Sequence, residues 1–216
     1  MNAGQPAAIT ATRATVDLLW IPLGAGQRVV RSSGRAYESL TALFHGRTAS
    51  DLYHSALVVT VPSGHYAIEM APIRDRNGAD RGVVAEGPVG MHWLGRFMLF
   101  RYEIRRWRNG VIPDAGEAVS TVRFEVDLAV AERLLGLVEH VPTLVWGRDE
   151  LRTGEMWNSN SVTAWLLTYG GIVTELIDPP TGGRAPGWDA GLAAAAVVAK
   201  RPEIPLAVAE LDAQNA

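Results

Sequence analysis

Tyr53–Val61 (YHSALVVTV), the turn Pro62-Ser63-Gly64 and His65–Ala71 (HYAIEMA) form the stretch that decides the fold. The first run is rich in β-branched and apolar residues, the Pro-Ser-Gly step breaks it, and the second run follows at once. Two strands joined by so short a turn pair as an antiparallel hairpin. Working outward, Phe97–Trp107 alternates Phe100, Tyr102 and Ile104 with Arg101, Glu103 and Arg105, the period-two pattern of a half-buried third strand. Upstream, Val16–Ile21 is an apolar run closed by Pro22 and reads as a buried strand.

Helical patterns flank the strands. Ser32–Leu43 fits a helix capped near Ser32 or Ser33, after a plain turn at Gly24-Ala25-Gly26. From Asp127, as N-cap, Leu128, Ala131, Leu134, Leu135 and Val138 fall on one helical face, and Pro142 ends the run. Ser159–Tyr169 reads as a further helix stopped by Gly170-Gly171, and an Ala-rich helix spans about Gly191–Lys200 beyond the Pro/Gly loop Asp178–Asp189. The predicted class is α+β, with one antiparallel sheet packed against helices.

The 216 residues suffice for one domain with a full core. A net charge of −3 gives no bulk attraction to nucleic acid or anionic membrane, and Arg105-Arg106-Trp107-Arg108 reads as the exposed end of a strand. There is no Cys, hence no disulfide framework and no thiolate metal site. Met1–Thr15 lacks the pattern of a signal peptide, and the longest apolar stretch, Leu192–Ala199, is too short to span a bilayer. A soluble, cytoplasmic protein with no transmembrane segment is expected. His45, His65, His92 and His140 are scattered, no cluster has metal-ligand spacing, and no cofactor is expected.

Three segments together suggest hydrolytic chemistry. His54 lies on the first hairpin strand and Glu69 on the second, where a cross-strand contact would orient and activate the imidazole. Ser159, in Trp157-Asn158-Ser159-Asn160-Ser161, falls at a helix start, where free N–H groups and the positive helix end suit an oxyanion. Ser159 would be the nucleophile, His54 the base and Glu69 the orienting acid. Asn158, Asn160 and Trp157 are the candidates for oxyanion hole or pocket. Arg148-Asp149-Glu150, just upstream, reads as a surface ion pair. Asn and Ser are also preferred N-caps, so the same four residues Asn158–Ser161 read equally as capping.

In order, spacing and flanks, YHSALVV, YAIEMAP and WNSNSVTAWLLTYGG resemble the circularly permuted papain-like hydrolases and acyltransferases, the group of the lecithin retinol acyltransferase relatives. The resemblance covers about residues 50–171 and implies a permuted papain-like core. Within a single domain of residues 1–216, the strand and helix of 15–45 and the loop and helix of 178–203 would then be decorations. It also implies a small-molecule or peptide acyl substrate, and places Ser159 where that group carries its catalytic Cys. A hydroxyl is not ionised by a neighbouring imidazole as a thiol is, so Ser159 would need His54 as a true general base. Two functions follow as expectations. One is an amidase, peptidase or thioester/ester hydrolase; the other is an inactive relative that binds a ligand or peptide in the same cleft.

Overall fold

The computed structural model describes residues 13–23, 50–73, 78–174 and 177–199. The helix expected over Ser32–Leu43, the Gly24-Ala25-Gly26 turn and His45 lie outside those residues.

The strands are β1 (Arg13–Pro22), β2 (Asp51–Val61), β3 (Gly64–Pro72), β4 (Val83–Pro88), β5 (Arg101–Arg108), β6 (Ser120–Asp127) and the two-residue β7 (Gly183–Arg184). They form a sheet in the order β4-β5-β3-β2-β1-β6, antiparallel throughout, with β7 added in parallel to the start of β2. The expected α+β class with an antiparallel sheet is what the chain adopts. β2 and β3 form the expected hairpin, with Leu57 opposite Ile68 and Val61 opposite Gly64.

Side chains alternate across the sheet. Val16, Leu18 and Trp20 of β1, Leu57 and Val59 of β2, Ile68 and Met70 of β3, and Tyr102 and Ile104 of β5 are buried in the main core. The helices α1 (Leu128–Leu137), α2 (Ser159–Gly170) and α3 (Trp188–Ala199) cover that face. The opposite face is covered near its middle by the segment between β5 and β6, whose Ile112 packs with Leu19, Ile21, Ala56 and Ala67. α2 ends as its glycines predict: Gly171 is left-handed at φ 90° and its N–H returns to the last turn.

Two expectations are corrected here. β1 is no decoration: it lies between β2 and β6 and contributes buried Val16, Leu18, Leu19, Trp20 and Ile21. Likewise α3 packs closely on α2, where a Cβ at Gly191 would come within 2.3 Å of the Ser161 carbonyl oxygen. Of Arg105-Arg106-Trp107-Arg108, Arg108 is exposed as expected, but Arg105 is not. Arg105 is 2% exposed, because Glu103 and Glu69 bracket its guanidinium on the sheet surface.

Candidate active site

The β2–β3 ladder starts only at Leu57, so the first residues of β2 run along β1 without β3 beside them. Leu52 turns its carbonyl toward β1, where it accepts the Leu23 N–H. Alternation along the strand then turns the Tyr53 carbonyl to the other edge. Asn160 fills that gap: its Nδ2 donates to the Tyr53 carbonyl at 2.9 Å, and its Oδ1 accepts from Ser55 Oγ at 2.8 Å. The start of α2 is therefore pinned to the residues on both sides of His54.

The neighbouring polar side chains are spent on the same joint. Asn158 caps α2 by accepting the Asn160 N–H, and Ser161 Oγ accepts the Asn158 N–H, a reciprocal capping box. Asn158 Nδ2 and Asn160 Nδ2 both donate to the Pro186 carbonyl, and Ser161 Oγ donates to that of Gly187 at 2.6 Å. Gly187 stands at φ +91°, and a Cβ there would meet the Asn158 amide at 2.5 Å, so a side chain at 187 would displace the cap. Ser159 alone of these four makes no side-chain hydrogen bond among the described residues, and its N–H, first in the helix, has no partner either. The capping function falls on Asn158 and Ser161, not on Ser159.

His54 points to the sheet face opposite α2, the face of Ala56. There its Nε2 meets Asp114 Oδ2 at 3.0 Å, both side chains about one quarter exposed. A carboxylate on Nε2 holds the proton there and leaves Nδ1 with its lone pair. No hydrogen bond joins Nδ1 to Ser159 Oγ in this structure.

Glu69 is not at His54. Continuing the β2–β3 register would set His54 opposite Ala71, and Glu69 instead bonds Arg105 NH1 at 2.5 Å. That guanidinium is shared with buried Glu103, which also takes Arg81 Nε at 3.2 Å. The expected His54–Glu69 contact gives way to two better-matched partners: the buried cation holds Glu69, and Asp114 holds the imidazole. Asp114 carried no sequence signal beyond the turn marker Pro113-Asp114, since 60 residues separate it from His54. Trp157, 1% exposed, belongs to the core. Asn160, as anchor, spends both Nδ2 hydrogens on the Tyr53 and Pro186 carbonyls and is unavailable as an oxyanion donor, while Asn158 serves as the cap.

No family model, curated protein or solved structure matches the chain.

The rim just upstream is ordered by carboxylates. Asp149 accepts the Thr153 and Gly154 N–H groups, which hold its carboxyl below the usual range. Glu150 accepts the Val145 N–H and meets His92 Nε2 at 2.7 Å. The ion pair expected within Arg148-Asp149-Glu150 is replaced by these contacts. Burial raises the Glu155 carboxyl above its usual value, although Gly187 and Asp189 N–H groups donate to it. No helix of the described residues is long and apolar enough to cross a membrane.

Proposed function

We propose that the chain is an acyl-chemistry hydrolase, an amidase, peptidase or thioester/ester hydrolase working in a permuted papain-like cleft. Ser159 is its nucleophile, His54 its base and Asp114, in place of Glu69, its orienting acid. The observation that carries this reading is the anchoring of the α2 start by Asn160 to Tyr53 and Ser55, astride a histidine whose Nε2 is held by Asp114.

In the reaction, His54 Nδ1 takes the Ser159 proton as Oγ attacks the substrate carbonyl carbon. The oxyanion faces the unpaired Ser159 N–H at the positive end of α2. His54 then returns the proton to the leaving group, and a water activated by the same nitrogen hydrolyses the acyl-serine. His54 stands on the sheet face opposite α2, so this step requires its imidazole to turn round the start of β2 toward Ser159 when substrate binds.

The missing Ser159–His54 bond favours a second reading, a module that binds an acyl ligand or peptide without cleaving it. Labelling by a fluorophosphonate, located by mass spectrometry, separates the two. The hydrolase reading expects modification at Ser159 that is lost in Ser159→Ala and in His54→Ala. An unlabelled wild-type protein of intact fold would exclude it and leave the binding module.

A further inference from the structure

β6 is the last described strand of the sheet beyond β1, and no described strand pairs with its outer edge. Its backbone directions follow from the ladder. Leu23 donates to Leu52, so odd-numbered β1 residues bond toward β2 and even-numbered ones toward β6; the Trp20 carbonyl accordingly accepts the Val119 N–H. Trp20 pairs with Ser120 and Val16 with Phe124, so Ser120, Val122, Phe124 and Val126 bond inward. Thr121, Arg123 and Glu125 turn their N–H and C=O groups outward, with no backbone partner among the described residues.

The sequence of this edge is complementary to itself. About Phe124, Val122 mirrors Val126 and Arg123 mirrors Glu125. Phe124, Val122 and Val126 are half-buried beside a groove of about 780 Å³ that Val130, Ile172 and Ile177 also line. On the other face, Asp17 grips Arg123 at 2.7 and 2.8 Å, and Arg13 meets Glu125 at 2.8 Å. A long edge with alternating apolar residues, unpaired among the described residues, is a template for a further strand.

We propose that β6 pairs antiparallel with β6 of a second copy of this chain, with Phe124 on the two-fold axis. Arg123 of each copy then lies opposite Glu125 of the other as a hydrogen-bonded pair, and Phe124 faces Phe124 as a non-hydrogen-bonded one. The charges run Asp17, Arg123, then Glu125 and Arg13 of the second copy, alternating in sign across the joint. On the other face the two Phe124 rings and the Val122–Val126 pairs close the groove beside the helices. The interface is isologous, so one surface satisfies both copies and the assembly stops at two.

Sedimentation of the full chain tests this. A dimer is expected at about 100 μM, with a dissociation constant raised at least about 100-fold by Glu125→Pro. That proline removes an outward N–H of an edge strand, a position where proline is tolerated, together with the Glu125 carboxylate that meets Arg13 and would face Arg123 of the second copy. The chain has no Cys, so single cysteines report the register directly. Phe124→Cys should oxidise to a covalent dimer, because Cα atoms of a non-hydrogen-bonded pair lie about 4.5 Å apart, within disulfide range. Val122→Cys, two positions off the axis in each copy, should stay reduced. A monomer at that concentration, a dimer indifferent to Glu125→Pro, or crosslinking of both cysteines alike would each overturn the proposal.

Discussion

Asp114 and Glu69 are both acids on the His54 face of the sheet, but removing them releases different things. Asp114 holds Nε2 of a quarter-exposed histidine at 3.0 Å, so Asp114→Asn frees the ring to take the wrong tautomer with little loss of packing. If Ser159 is acylated, its labelling rate should fall about 10²–10⁴-fold in that variant, with the melting temperature nearly unchanged. Glu69→Gln leaves Arg105 a weaker partner, and an interaction with a charged group is worth ~1.5–3 kcal/mol. It should lower the melting temperature while leaving the labelling rate per folded molecule intact. The reverse pattern would return the orienting part to Glu69. His54 and Ser159 could be singled out as candidates because each stands in a patterned stretch. Asp114 was not, because the contact is made by the segment after β5 folding back over the sheet, and no local pattern records such a return. Asn160 was legible only as a polar residue; that its amide would complete the edge of β2 depends on where β3 diverges.

At the scale of elements, the joint between α2, α3 and the start of β2 carries the geometry. Asn160→Ala would leave the Tyr53 carbonyl and the Ser55 hydroxyl without their Asn160 partner, and the Pro186 carbonyl with Asn158 alone, at a cost of ~2–4 kcal/mol in urea unfolding. Gly191→Ala would press a methyl to 2.3 Å from the Ser161 carbonyl oxygen, and overpacking of this sort costs ~1–3 kcal/mol. A melting temperature equal to wild type in either variant would mean the two helices are not held as described. Glu155, bonded to the N–H groups of Gly187 and Asp189, adds a pH signature. Burial raises its folded-state pKa above the ordinary 4.5, so between the two values the native state binds more protons than the unfolded one. Its contribution to stability therefore declines as pH rises through the window above 4.5, and Glu155→Gln should remove that slope from the difference between variant and wild type. Hairpin, third strand and helices were readable from periodicity. β6 has the same alternation, Val122, Phe124 and Val126 against Arg123, Glu125 and Asp127, and was there to be read. β4 and β7 were not: β4 ends in Gly-Pro and β7 is two residues long, so both exist only through their partners β5 and β2.

For the molecule as a whole, the sheet order and the packing of α3 on α2 tie residues 50–171 to the strand before them and the helix after them. Cutting at residue 50 removes β1 from between β2 and β6 and exposes two inner strand edges. It also takes away Val16, Leu18, Leu19, Trp20 and Ile21, each buried. At ~1.5–3 kcal/mol per large apolar side chain, that loss is on the order of 10 kcal/mol, comparable with the whole stability of a domain. Cutting at 171 strips α3 from α2, and with it the Pro186 and Gly187 carbonyls that hold Asn158, Asn160 and Ser161. A fragment of residues 50–171 should therefore show no cooperative urea transition and no modification at Ser159, whereas residues 13–199 should unfold in a single transition. Cooperative unfolding of the shorter piece would mean that the hairpin, α1 and α2 make a core of their own. β1 and α3 would then be additions after all, and the anchoring of α2 beside His54 would have to come from within that core.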